Sequence, residues 1–164
     1  MKRLIVLLLS LLPLGAFAQE VKIAYVNVNE VMMALPDVSN MEKQIAALNE
    51  KYTAEMKLLE NDYQKKAADY VAQQDSLTEN IKLRRMQDIE DIRTKMENFG
   101  QIAQQDVQKK YEELFQPIQQ KVQNAIKAVG DEKGYTYIFN PNGLLYISPD
   151  ATDATPLVRA KLGL

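Results

Sequence analysis

The chain contains no Cys, no His and no Trp, and only 6 Gly and 6 Pro among its 164 residues. Without Cys there is neither a disulfide nor a thiolate site, so stability has to come from packing or assembly. Without His, the Ser-His-Asp and Cys-His nucleophilic arrangements, the HExxH zinc site and the usual general base near neutral pH are excluded. Neither a Walker A loop nor a GxGxxG fingerprint occurs. Carboxylates are plentiful, but "NDYQKK", "DIEDIR" and "KYEELF" set them among Lys, Arg and Gln, which is the pattern of a solvated helix face. The expectation is a chain with no catalytic residues, no metal site and no cofactor, hence not an enzyme.

What the chain does have begins with a leader. Lys2 and Arg3 precede an apolar run from Leu4 to Leu14, and "GAFAQE" places Ala16 and Ala18 where a signal peptidase needs small residues. Residues 1–18 therefore read as a secretory signal cut near Ala18, before Gln19. The alternative is an uncleaved anchor, although the run is shorter than the ~20 residues that span a bilayer. The 20 Lys and Arg against 22 Asp and Glu give a net charge of -2, and losing Lys2 and Arg3 takes the mature chain to about -4. Such a chain carries no basic footprint for nucleic acid.

In the mature chain "EVKIAYVNVNEVMMALPD" opens with Val21 to Val28, where Ile23 and Tyr25 face one side and Ala24, Val26 and Val28 the other. Both faces are largely apolar, so a buried strand is expected. Pro36 ends the short segment that follows. Ser39 and Glu42 have the S-x-x-E spacing of a capping box and predict a helix start.

From that point apolar residues recur at Met41, Ile45, Leu48, Tyr52, Met56, Leu59, Tyr63, Ala67 and Tyr70. Spacings of three and four repeat every eleven residues, which favours a nearly straight helix pair over a heptad supercoil. The stripe stops, then resumes as Leu77, Ile81, Ile89, Ile92, Met96, Phe99, Ala103, Val107, Tyr111 and Leu114, with Arg85 in register. In the gap lies "AQQDSLTENIKLRR", whose Ser76 and Glu79 form a second capping-box pattern. Capping serves a helix start, not an interior, so the chain is expected to turn at 73–76 and fold back as an antiparallel hairpin. One uninterrupted rod is the alternative, because this stretch has neither Gly nor Pro. Gly100 interrupts the second stripe, either for close packing or as a bend.

Pro117 can kink the returning helix, which continues to Gly130 or Gly134. Next, "YTYIFNPNGLLYIS" predicts strands at Tyr135–Phe139 and Leu144–Ser148 joined by a turn at Pro141–Gly143. Thr155 followed by Pro156 predicts a short closing helix. The expected domains are a β-rich body of residues 19–36 and 115–164 and an arm of residues 37–114. Three strands in so small a body leave edges unpaired, so a closed oligomer is expected.

With these elements in place, the sequence resembles the periplasmic chaperones of the Skp (OmpH) type. "KIAYVNVNEVMMALPD" is similar to the family's first strand, "IQQKVQNAIKAVGDEKGYTYIFN" to its returning helix and second strand, and "LLYISPDATDATPLVRAKL" to its closing strand and helix. The resemblance implies an α+β fold, a small strand body that trimerises into a barrel and bears one long helical-hairpin arm per subunit. It also implies a homotrimer in the periplasm that holds unfolded outer-membrane proteins between its arms without ATP. This chain is acidic where the best-known members are strongly basic. A structural coiled-coil spacer or adaptor of the cell envelope is the alternative function.

Met supplies adaptable contacts and Tyr joins a ring to a polar tip, which suits a surface for many apolar sequences. The client-binding candidates are Tyr52, Met56, Tyr63, Tyr70, Met86, Met96 and Phe99 along the arms and Leu58, Val71 and Leu83 off the main seam. Seam residues can equally do no more than pack the helix pair, so the off-seam positions are the better candidates. Lys82, Arg84 and Arg85 form a basic cluster near the tip that could touch an acidic client segment or, weakly, a membrane surface; pairing with Asp88 and Asp91 is the plainer reading.

Overall fold

The computed structural model describes residues 21–164; the expected leader with its cut near Ala18 lies outside the described residues. The chain opens with strand β1 (Ile23–Tyr25) and helix α1 (Val28–Ala34). Asn27 caps α1, its side-chain oxygen accepting from the Glu30 N–H at 3.2 Å. Leu35 is extended, and helix α2 runs from Pro36 to Gln73. A 3-10 turn at Gln74–Ser76 reverses the chain into helix α3 (Glu79–Lys133). Strand β2 (Tyr137–Phe139), a second 3-10 turn (Pro141–Gly143), strand β3 (Thr152–Asp153) and helix α4 (Thr155–Lys161) complete it.

Two cap assignments are corrected. Helix α2 starts at Pro36, three residues before Ser39, because proline's fixed φ and missing N–H suit the first turn. Ser39 and Glu42 therefore lie inside the helix. At the tip the N-cap of α3 is Thr78, without a side-chain cap bond. Ser76 Oγ instead donates to the Gln73 carbonyl at 2.8 Å, closing the end of α2 rather than opening α3.

Helix α2 has 38 residues and α3 has 55, so they extend about 57 Å and about 82 Å at the usual rise. The surplus in α3 belongs to the body: the helix continues through Pro117, and Ile118, Val122, Ala125 and Val129 recur at helical spacing as buried residues. Gly134 ends it in the left-handed region at φ 66°, its N–H bonded to the Gly130 carbonyl.

The sheet has the order β2-β1-β3, and both pairings are parallel. Leu144–Ser148, expected as a strand, is not one; the third strand is Thr152–Asp153, which pairs with β1 through Ala24 and Tyr25. Pro141–Gly143 is thus no hairpin turn. A chain leaving a strand by a tight turn can return only antiparallel, whereas residues 144–151 travel back along the sheet before β3 begins. Strand β1 is also shorter than Val21–Val28, since Val28 begins α1, and one face of it rather than two is buried. Ala24 and Val26 are 3% and 1% exposed, Ile23 51%.

The core lies between that inner face, α1, α4, the base of α2 and the final turns of α3, and joins Val31, Leu35, Met41, Val122 and Val158. Thr155, buried, accepts through Oγ1 from the Asn27 N–H at 3.0 Å and locks α4 to the end of β1.

Candidate functional site

The seam between α2 and α3 is built by the two apolar stripes, which place side chains of successive turns face to face. At its middle the Tyr52 ring meets Phe99 edge to face, centroids 5.7 Å apart. Tyr52 Oη donates to Asp106 Oδ2 at 2.6 Å, and this bond, followed by partial burial, raises the phenol's pKa above its usual value. Gly100 leaves a notch that the Met56 methyl approaches; a Cβ on Gly100 would stand 3.6 Å from it. Tyr52, Met56, Tyr63, Tyr70, Met96 and Phe99 are all half-buried along the seam. Between Ile45 and Leu114, Ile92 is the one seam residue that is fully buried; Met41, at the base of α2, is buried in the core of the body.

The off-seam candidates are placed differently. Leu58, Val71 and Leu83 are exposed, and so is Met86, which the sequence groups with the residues along the arms but which lies outside the half-buried seam. Ile102, 54% exposed on α3, belongs with them; it is a large apolar residue directly before the stripe's Ala103 and outside the stripe, which was the signal for it. The sequence reading also left out the outer face of the sheet. There Ile23, Tyr137 and Phe139 are exposed, the two rings stacked with centroids 6.0 Å apart, and the adjoining Leu144, Leu145 and Tyr146 are uncovered too. The parallel register that puts Ile23 opposite Tyr137 aligns them on one side.

Of the basic cluster, Lys82 alone has an ion pair among the described residues. Lys82 Nζ donates to Glu79 Oε1 at 2.8 Å, one turn away, and this bond raises its pKa. Arg85 lines a small cleft with Lys66, Asp69 and Asp88. Arg84 has no ion pair among the described residues. Farther along, Arg93 bridges Glu90 and Glu97, its bond to Glu90 holding that carboxyl below its usual pKa.

A long two-helix arm on a three-stranded parallel body is a distinctive arrangement, and the comparisons agree with it. The family model "Outer membrane protein (OmpH-like)" matches residues 22–162. The chain belongs to the OmpH-like family. Among curated relatives, the "Chaperone protein Skp" of Photorhabdus luminescens is 32% identical over 136 residues, which cover 80% of this chain and 79% of that protein. That of Pectobacterium atrosepticum is 26% identical over 134 residues, covering 82% and 81%. A crystal structure of an OmpH-like protein from Caulobacter crescentus shares the fold, with a TM-score of 0.75 at 12% identity over 87% of this chain and 83% of that one. The OmpH-like family is one of chaperones, not of enzymes. Among the described residues no cluster of acidic side chains could hold a metal, and no helix is long and apolar enough to cross a membrane.

Proposed function

We propose that this OmpH-like chain is an ATP-independent holdase of the periplasm. Its leader directs it across the inner membrane and is removed near Ala18. Three mature copies join through the outer faces of their sheets, and their arms surround unfolded outer-membrane proteins and keep them from aggregating. The observation that carries this reading is the exposure of Leu58, Val71, Leu83 and Met86, at 62%, 64%, 67% and 53%. A hairpin that only spaces two structures has no use for large apolar groups off its seam, and they cost solubility. An unfolded outer-membrane strand alternates apolar with polar residues and aggregates readily. A row of separated, adaptable apolar contacts suits many such sequences without a pocket fitted to one.

The trimer reading is supported by the body. Ile23, Tyr137, Phe139, Leu144, Leu145 and Tyr146 present a continuous apolar surface on one chain, and a ring of copies would cover it while leaving the arms free.

The test is dilution of a urea-unfolded outer-membrane barrel protein into buffer, followed by light scattering. A holdase suppresses aggregation at about one trimer per client without nucleotide, whereas a spacer or adaptor leaves the aggregation rate unchanged.

A further inference from the structure

Of the ten Asn in the chain, seven lie within helices α1, α2 and α3, where helical geometry holds the next residue's N–H away from the side chain. Asn27 is engaged in capping α1 and precedes the β-branched Val28. Asn140 precedes Pro141, which has no N–H. Asn142 differs from all of these. It forms the single Asn-Gly pair of the sequence with Gly143, in the 3-10 turn Pro141–Gly143, and both residues are exposed. Its backbone N–H donates to Asn140 Oδ1 at 3.2 Å, while its own side-chain amide has no hydrogen bond among the described residues. The Gly143 N–H reaches the Asn140 carbonyl only at 3.5 Å, the long limit of a hydrogen bond.

We propose that Asn142 is a site of spontaneous covalent modification, at which the side-chain amide is converted to aspartate and isoaspartate beside the exposed apolar surface of the body. The Gly143 nitrogen, giving up its proton to base, attacks Asn142 Cγ. The bond from Cγ to the side-chain nitrogen breaks, and ammonia leaves with a proton returned to it. Glycine suits the attack because the missing Cβ leaves its nitrogen unhindered and its backbone free to reach the ring-closing conformation. One water then opens the five-membered succinimide, at Cγ to give aspartate or at the former backbone carbonyl to give isoaspartate. Net, one amide and one water become one carboxylate and one ammonium, and nothing is oxidised or reduced. The new charge stands two residues before Leu144, at the border of the exposed surface that Leu144, Leu145 and Tyr146 form. Isoaspartate also lengthens the backbone inside a turn that the Leu144 N–H closes onto the Pro141 carbonyl at 2.9 Å. Covering that surface would then strip water from a charge with no partner, on a chain already net negative.

That the modification loosens assembly rests on the reading in which copies join through the outer face of the sheet; the modification itself does not. Mature protein is held for days in mildly alkaline buffer, digested and mapped by mass spectrometry, and isoaspartate is counted with an isoaspartyl methyltransferase and a labelled methyl donor. Conversion at position 142 is expected to outpace that at every other Asn severalfold and to quicken as pH rises, because the attacking nitrogen must lose its proton. Gly143→Ala, whose Cβ meets nothing within 4 Å, should fold as the unsubstituted protein does and convert severalfold more slowly. An intact Asn142 while other Asn are converted, or an equal rate in Gly143→Ala, would overturn the proposal. Asn142→Asp, followed by light scattering on dilution, should dissociate at a severalfold higher concentration than the unsubstituted protein. Equal dissociation, with position 142 converting as expected, would count against the outer face as the place where copies join and leave the modification site standing.

Discussion

Tyr52 and Asp106 sit on opposite helices of the arm and are joined by a 2.6 Å hydrogen bond from the phenol to the carboxylate. They are 54 residues apart in sequence, and the bond fixes the register of α2 against α3 where the seam is only half-buried. It also carries a pH dependence. The Tyr52 pKa is raised in the folded arm, first by this bond, so the folded state holds the phenol proton more tightly than the unfolded one. The stabilisation is complete below the ordinary tyrosine pKa of about 10 and is lost as pH rises through the higher folded value. Hydrogen exchange of the arm amides should accelerate above that pH in the unsubstituted protein. Tyr52→Phe, which keeps the contact with Phe99, should show a smaller change over the same range; equal changes would leave the bond without a role in arm stability.

Two glycines are expected to respond oppositely to alanine. At Gly100 a Cβ meets Met56 Cε at an ordinary 3.6 Å, so Gly100→Ala should stabilise the chain by about 1 kcal/mol through helix propensity. At Gly134, held at φ 66°, alanine adopts a conformation that costs about 1 kcal/mol, and Gly134→Ala should destabilise by that amount. Urea unfolding of both variants gives the comparison directly.

The off-seam apolar residues should separate binding from folding. Replacing Leu58, Val71, Leu83 and Met86 together by Ser removes exposed side chains, each change worth within about 0.5 kcal/mol of stability. The thermal midpoint should hardly move, while suppression of barrel-protein aggregation falls severalfold. The seam change Met96→Ala should reverse the pattern, lowering the midpoint first.

Assembly should depend on the body and not on the arm. Replacing residues 46–110 by a short linker keeps Met41, Ile45, Leu114 and Phe115, which pack on or into the core. The shortened chain should scatter light as an oligomer with the same number of copies as the full one. Leu145→Asp with Tyr146→Asp, at side chains 107% and 77% exposed, should give folded monomers; a trimer persisting in that variant would mean that copies meet elsewhere.

At the tip, Lys82 is held by Glu79 and Arg85 stands beside Asp69 and Asp88. Arg84→Gln should therefore reproduce most of the loss of low-salt capture of an acidic client that is expected when Lys82, Arg84 and Arg85 are all changed to Gln. In physiological salt, with a Debye length of about 8 Å, the two variants should bind such clients equally.

The sequence by itself determined the two arm helices of this protein and their pairing, though not the short helix Val28–Ala34. Residues three and four apart meet on a helix surface whatever surrounds them, so the stripes from Met41 to Tyr70 and from Leu77 to Leu114 identify the seam, and their interruption coincides with the 3-10 turn at Gln74–Ser76. Which of two plausible caps is used was not legible, because Pro36 and Ser39 both suit a helix start and only the packing of Leu35 and Met41 into the core favours the earlier one. The strands were decided by tertiary structure. "LLYIS" has the composition of a strand, yet β pairing needs a neighbouring edge, and Tyr25 gives its carbonyl to the Ala154 N–H beside β3 instead. The same holds for the apolar faces: Ala24 and Ile23 are adjacent and both apolar, and only the α1, α3 and α4 side of the sheet, where the core forms, decides that the first is buried and the second exposed.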